Sequence, residues 1–301
     1  MRWLLYLVFI CLIAAILPAL LVRGYEPAGR DQVQVRLFRE DVSRLVELDL
    51  EEYVAGVVAA EMPAVFHLEA LKAQAVAART YALRAVRTQV SGVHLTSSFQ
   101  RDQAWSSPEE LREKWGAAAF QIYWSRIRMA VRSTRGEVLT YRGELIFPAY
   151  HSTSGGRTES SENYWSALHP YLRSTPSPYE EHSPHYRTEQ DLPWEEIIRS
   201  LGLETGTQTI QILQRYPSGR VQTVAVGGQV FTGREVREAL GLRSNWFDAS
   251  VMGSCIRFSI RGNGHGVGMS QYGADGMARQ GYNYREILAH YYQGTRLIRT
   301  Y

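Results

Sequence analysis

Residues 3–22 form a twenty-residue run without a charge, bracketed by Arg2 and Arg23, and everything after it reads as water-soluble sequence. A helix of that length spans about 30 Å, the thickness of a bilayer's hydrocarbon core. A cleaved secretory signal is the competing reading. It needs a shorter apolar stretch and a small-x-small cleavage site, and Ala28-Gly29-Arg30 after Pro27 is a poor one. The expectation is a transmembrane anchor at 1–23 and a tether at 24–32. The short N-terminus has nothing to translocate, so it stays in the cytoplasm and residues 24–301 lie outside.

Beyond the tether the hydrophobic period changes several times. Val33, Val35 and Leu37 alternate as in a strand. From Asp49, a candidate N-cap, the positions Leu50, Val54, Val57, Val58 and Glu61 follow one helical face, and Pro63 stops that helix. A longer helical pattern covers 67–90, with Leu68, Leu71, Ala75, Ala78, Ala82 and Ala85 on one stripe of mostly small residues. Residues 95–107 are polar, and 109–131 read as one further helix. A hairpin is predicted at 137–150, turning at Arg142-Gly143. A polar, glycine- and proline-rich run then extends to Pro184, too long for an ordinary connection and so read as a functional loop. After it come a helix at 194–203, paired strands at 209–214 and 221–226, a helix at 232–240 and a strand at 256–260. Two helices near 270–280 and 285–293 close the chain. The predicted class is α+β: an N-terminal transmembrane helix, then a mixed domain of helices and antiparallel strands over 33–301, with a substrate groove and a small inserted subdomain at about 165–245.

Composition narrows the function. The 33 basic residues, less Arg2 and Arg23, leave 31 against 30 acidic ones, so the soluble part has no cationic excess to bind nucleic acid. Lys72 and Lys114 are the only lysines. The two cysteines fall in different compartments, Cys11 in the apolar run and Cys255 in the soluble part, so no intrachain disulfide is expected.

Candidate chemistry gathers in three places. Glu61 lies on an apolar helical face, where burial raises a carboxyl's pKa and can keep it protonated as a general acid. The alternative is an ion pair with Arg79, which the short 62–66 turn is expected to bring close. The second place is the loop Tyr150-His151-Ser152-Thr153-Ser154-Gly155-Gly156-Arg157-Thr158-Glu159, rich in hydroxyls that suit a polar ligand such as a sugar. The third is Gly262-Asn263-Gly264-His265-Gly266-Val267-Gly268-Met269-Ser270-Gln271-Tyr272-Gly273-Ala274. It lacks the Gly-Lys-Ser/Thr of a phosphate loop, leaving His265, Ser270 and Gln271 as site candidates or simple turn residues. Neither a Gly-x-Ser-x-Gly elbow nor metal-ligand spacing is present.

Taken in order and spacing, these segments resemble the stage II sporulation protein D (SpoIID) family, which also takes in LytB-type amidase enhancers. Leu50 to Pro63, Glu69 to Ala82, the 151–159 loop and Gly264 to Ala274 carry the resemblance over about 240 residues. It implies a membrane-anchored lytic transglycosylase that cleaves peptidoglycan glycan strands, preferably stripped of stem peptides, during engulfment of a forespore or cell-wall remodelling. The implied partners are the glycan itself, a cell-wall amidase and a membrane scaffold protein. A noncatalytic glycan-binding enhancer of an amidase is the alternative. The resemblance puts the catalytic acid on Glu61 and groove positions on Arg79, His151, Ser152, His265 and Gln271. Where some relatives would hold zinc through Cys and His, this loop has Ser and Thr, so neither metal nor cofactor is expected.

Overall fold

The computed structural model describes residues 33–89, 92–204 and 208–301. The expected anchor and tether, 1–32, lie outside the described residues. No helix among the described residues is long and apolar enough to cross a membrane.

Strands β1 (Gln34–Arg39) and β2 (Arg44–Asp49) pair antiparallel, and β3 (Leu95–Thr96) joins β1 in parallel. The chain passes from β2 straight into helix α1 (Leu50–Glu61), whose first turn is held by the Asp49 side chain accepting from the Glu51 N–H at 2.8 Å. Leu50, Val54, Val57 and Val58 are buried, as their spacing predicts. Helix α2 (Leu68–Thr88) starts after a five-residue turn and His67, its N-cap. Leu71, Ala75, Ala78 and Ala82 of the predicted stripe are fully buried. Their small side chains let α2 run through the middle of the domain against α1, α4 (Ala117–Ser133), α8 (Gln271–Arg279), α9 (Tyr284–Tyr291) and strand β4 (Glu137–Tyr141).

One helix was expected over 109–131, and the structure has two. Helix α3 (Pro108–Trp115) ends at Gly116, whose φ of +75° breaks the spiral before α4 begins. The predicted hairpin is β4 with β5 (Glu144–Leu145), and Arg142 and Gly143 both have positive φ, as a two-residue primed turn requires. A C-terminal strand, β14 (Arg296–Arg299), covers the other edge of β4.

Two further antiparallel sheets, β7 (Arg187–Pro193) with β12 (Cys255–Arg261) and β11 (Phe247–Met252), and β8 (Ile210–Arg215) with β9 (Val221–Val226) and β10 (Gln229–Thr232), enclose a second apolar cluster. Ile197, Val224, Val226, Val236, Phe247, Ile256 and Phe258 are at its centre. Finally, β6 (Tyr150–His151) and β13 (Met269–Ser270) form a short parallel ribbon, with Met269 opposite Tyr150 and Ser270 opposite His151. That ribbon joins the second sequence cluster to the third. The domain is mixed α+β with mostly antiparallel sheets.

Candidate active site

Glu61 is the last residue of α1, and its carboxyl is half-buried at the end of that helix. Ala104 N–H donates to its Oε1 at 2.9 Å, and the Gln271 side-chain amide approaches Oε2 at 3.5 Å. The Tyr150 side chain is a third polar group that bears on the carboxyl. Burial pushes the Glu61 acid above the ordinary glutamate range, and these three groups act in the opposite sense by favouring the carboxylate. No charged side chain is among the influences on it.

Behind Glu61 the donors run in one direction. Tyr53 O–H donates to Gln103 Oε1 at 3.3 Å, and the Gln103 amide donates to the Tyr150 oxygen at 2.8 Å. Tyr150 accepts in that bond, so its own O–H is free to favour the Glu61 carboxylate. Burial, then the nearby Glu61 charge, holds the Tyr150 phenol well above its usual pKa, so it remains a donor.

Two features bring Gln271 to Glu61. The β6–β13 ribbon delivers the start of α8, where Ser270 caps the helix by accepting from Gly273 N–H at 3.1 Å. One turn into α8, buried Asp275 accepts from His67 N–H at 2.7 Å, tying the helix to the turn that follows Glu61. The same turn is held from α4 by Arg126, which donates to the carbonyls of Ala64 (3.1 Å) and Phe66 (2.8 Å).

At Glu61 lies an open cleft of about 380 Å³, lined by Ala59 to Val65 and by Lys114, Trp115 and Tyr123. Ala59 and Ala60 beside Glu61 are small and line the cleft with it. Among the described residues that line the cleft, Glu61 is the sole carboxyl.

Of the residues singled out in the sequence, Glu61 and Gln271 come together. Arg79 does not join them. It is fully buried near the opposite end of α1, donating to both oxygens of Glu51 (2.8 and 2.6 Å) and to the carbonyls of Val131 (3.1 Å) and Glu137 (3.2 Å). Ten residues of helix, about 15 Å, separate Glu51 from Glu61. The expected proximity of Arg79 to Glu61 is therefore corrected: antiparallel packing pairs the middle of α2 with the start of α1, and a groove role for Arg79 has no exposed surface to act through. Its contacts describe a brace for the carbonyls of Val131 and Glu137 and for Glu51.

His151 and His265 form a separate group. Successive strand positions face opposite ways, so His151 points away from the side on which Tyr150 meets Glu61. Its Nδ1–H donates to the Val267 carbonyl at 3.1 Å, and its buried Nε2 has no hydrogen-bond partner. The His265 ring lies 5.6 Å from His151 and 4.8 Å from Trp165, and its Nδ1 accepts from Val267 N–H at 3.1 Å. Burial, then the charge of Arg237, pushes His265 down to about 3, so it is neutral at physiological pH.

Ser152 bonds sideways to Thr153 (3.3 Å), and its carbonyl accepts from Tyr272 N–H at 3.0 Å. The remaining loop hydroxyls face inward. Thr153 bonds Ser183 at 2.7 Å, and Ser154 bonds Glu180, a buried carboxylate that also accepts from Gly156 N–H (2.7 Å) and from Ser270 Oγ (2.6 Å). The 151–159 loop was read as a display of ligand donors. Its hydroxyls are instead consumed in fixing the ribbon. Among the described residues no group of three or more His, Cys, Asp or Glu is placed to hold a metal ion.

Sequence reasoning missed Tyr53, Gln103, Ala104, Tyr150 as a site residue, and the Lys114–Trp115–Tyr123 wall. Gln103 and Ala104 lie in an irregular polar segment, where no periodicity marks them.

Comparison with known proteins gives a consistent result. The family model described as SpoIID, stage II sporulation protein, matches residues 39–141. The chain is 38% identical to stage II sporulation protein D of Bacillus subtilis over 281 residues, covering 91% of this chain and 82% of the relative. It is 40% identical to the protein of that name from Bacillus amyloliquefaciens over 279 residues, covering 90% and 81%. It is also 28% identical over 298 residues to a protein named amidase enhancer from Bacillus subtilis, covering 80% of this chain and 40% of that one.

Proposed function

The chain belongs to the stage II sporulation protein D family, and from that premise we propose that it is a lytic transglycosylase of peptidoglycan glycan strands, with Glu61 as the single acid and base. The observation that carries the proposal is a carboxyl held between opposing influences at the rim of a cleft with no second carboxyl in its described lining. Glycosidases that retain or invert use two carboxylates flanking the bond. A transglycosylase that closes the sugar on itself needs one.

Burial favours the starting state that the reaction needs, a protonated Glu61. Ala104 N–H holds Oε1 at 2.9 Å while Oε2 has only the longer 3.5 Å contact from Gln271, which makes Oε2 the oxygen that carries the proton. That proton passes to the glycosidic oxygen as the C1–O bond breaks. The carboxylate left behind then takes the proton of the same sugar's 6-hydroxyl as its oxygen bonds to C1. The product is a 1,6-anhydro end, no water is consumed, and Glu61 is protonated again. During the anionic interval the Ala104 N–H, the Tyr150 hydroxyl and the Gln271 amide stabilise the charge. One group can thus be acid first and base second.

The biological setting follows the relatives' names. We place the activity in sporulation or related cell-wall remodelling, on strands cleared by a cell-wall amidase, with residues 3–22 anchoring the domain outside the cytoplasm beside a membrane scaffold protein. Mass spectrometry of peptide-free strands digested by the full chain is the test. Anhydro-muramic ends that vanish in Glu61→Gln are expected, and hydrated reducing ends or undiminished cleavage by that variant would refute the mechanism.

The relative named amidase enhancer favours a second reading. A noncatalytic enhancer would bind strands, break no bond and stimulate an amidase equally well with Glu61→Gln.

A further inference from the structure

Only two of the chain's basic residues are lysines, and they are used differently. Lys72 is paired with Glu69 at 2.6 Å. Lys114, in the last turn of α3, has no ion-pair partner among the described residues, and it lines the same cleft as Glu61. Nearby cations are committed elsewhere: Arg126 to the carbonyls of Ala64 and Phe66, and Arg112 to the face of Phe120. Beside Lys114, Trp115 and Tyr123 meet edge to face at 5.4 Å and line the same wall.

An aromatic wall next to an unpaired ammonium suits a sugar ring bearing a carboxylate, with the ring's C–H faces on the aromatics and the anion on the Nζ. Resting on the glycan reading of the same cleft, we propose that Lys114 is a specificity-determining residue that recognises the free lactyl carboxylate of peptide-free muramic acid. In a strand that keeps its stem peptide, the same carbon is an amide. It carries no charge, and a peptide follows it. One ammonium thereby reads whether the strand has been stripped.

The bland reading is that Lys114 merely complements the carbonyl end of α3. The two readings separate in a binding experiment. In the full chain carrying Glu61→Gln, which stops turnover, affinity is measured for peptide-free strands and for the same strands with lactyl carboxylates converted to methylamides. Amidation is expected to weaken binding about five-fold, the scale of one partly exposed ion pair, and the ratio is expected to shrink at high salt. Adding Lys114→Met should bring the ratio to about one, while Lys114→Arg should keep it. A ratio unaffected by Lys114→Met, or no penalty for amidation in the parent, overturns the proposal. Cleavage by the chain with Glu61 intact is followed separately: if it yields no anhydro ends while the Lys114-dependent ratio stands, the lytic reading falls and carboxylate recognition remains.

Discussion

Glu61 shows how one side chain can be tuned for two tasks. Burial raises its pKa and the surrounding donors lower it, so each partner has a separable effect. The cleavage rate should fall as pH rises through the raised pKa, because the acid form starts the reaction. Stability follows the same group. A carboxyl whose folded pKa is raised favours the folded state below its unfolded pKa, and that contribution is lost as pH rises through the folded value. Glu61→Gln should therefore abolish cleavage and raise the melting temperature at pH 8 relative to the parent, with the difference closing toward pH 4; a lower melting temperature at pH 8 would contradict the assigned burial. Tyr150→Phe removes a donor that favours the carboxylate. The alkaline limb of kcat/KM should move to higher pH and the rate fall about ten-fold, whereas a profile unchanged in position would show that the tyrosine does not act through Glu61.

At the scale of elements, the site depends on how the start of α8 reaches the end of α1. Gly268 sits just before the ribbon with φ +73°, and an added Cβ would overlap the Ala149 carbonyl. Gly268→Ala is thus strained twice, in φ and in space, and should separate Gln271 from Glu61. A stability loss of about 1–3 kcal/mol by urea titration, with kcat lowered in the molecules that remain folded, is the expected result. The other end of α1 is held by Arg79. Arg79→Met leaves Glu51 without its guanidinium partner in a largely buried place and should cost about 3–5 kcal/mol, while the pH profile of cleavage in the folded fraction stays in place. A shifted profile would return Arg79 to the site. Helices α1 and α2 were readable from Asp49, Pro63 and the alanine stripe, since caps, breakers and period are local. The break at Gly116 was hidden by apolar spacing that runs on across it, yet that break ends α3 where Lys114 and Trp115 line the cleft. Strand β7 was missed because its Arg-Thr-Glu-Gln-Asp stretch is mostly exposed and only Leu192 is buried.

Across the whole molecule, two neighbouring histidines set the response to acid. Burial holds His151 well below 6.5, and His265 is pushed down to about 3. In the unfolded chain both take up protons as pH falls through about 6.5, so the folded state loses relative stability from there downward. The urea midpoint should be lower at pH 5 than at pH 7.5; a midpoint that held or rose would mean that the pair is not buried neutral. Buried His151 Nε2, with no hydrogen-bond partner, adds to that sensitivity because its protonation has no acceptor waiting.

The sequence by itself determined the catalytic candidate, the first two helices, the α+β class and the family resemblance, because each rests on short-range spacing: a carboxyl on an apolar face, a cap, a breaker, a fixed motif. Tertiary structure alone decided which partners that carboxyl has. Gln271 meets Glu61 across 210 positions of sequence, Ala104 across 43, and Arg79, although nearer than Gln271 along the chain, goes to Glu51 instead. Hydrogen bonds of that range are set by how helices stack and where a two-residue ribbon closes. No local periodicity records either.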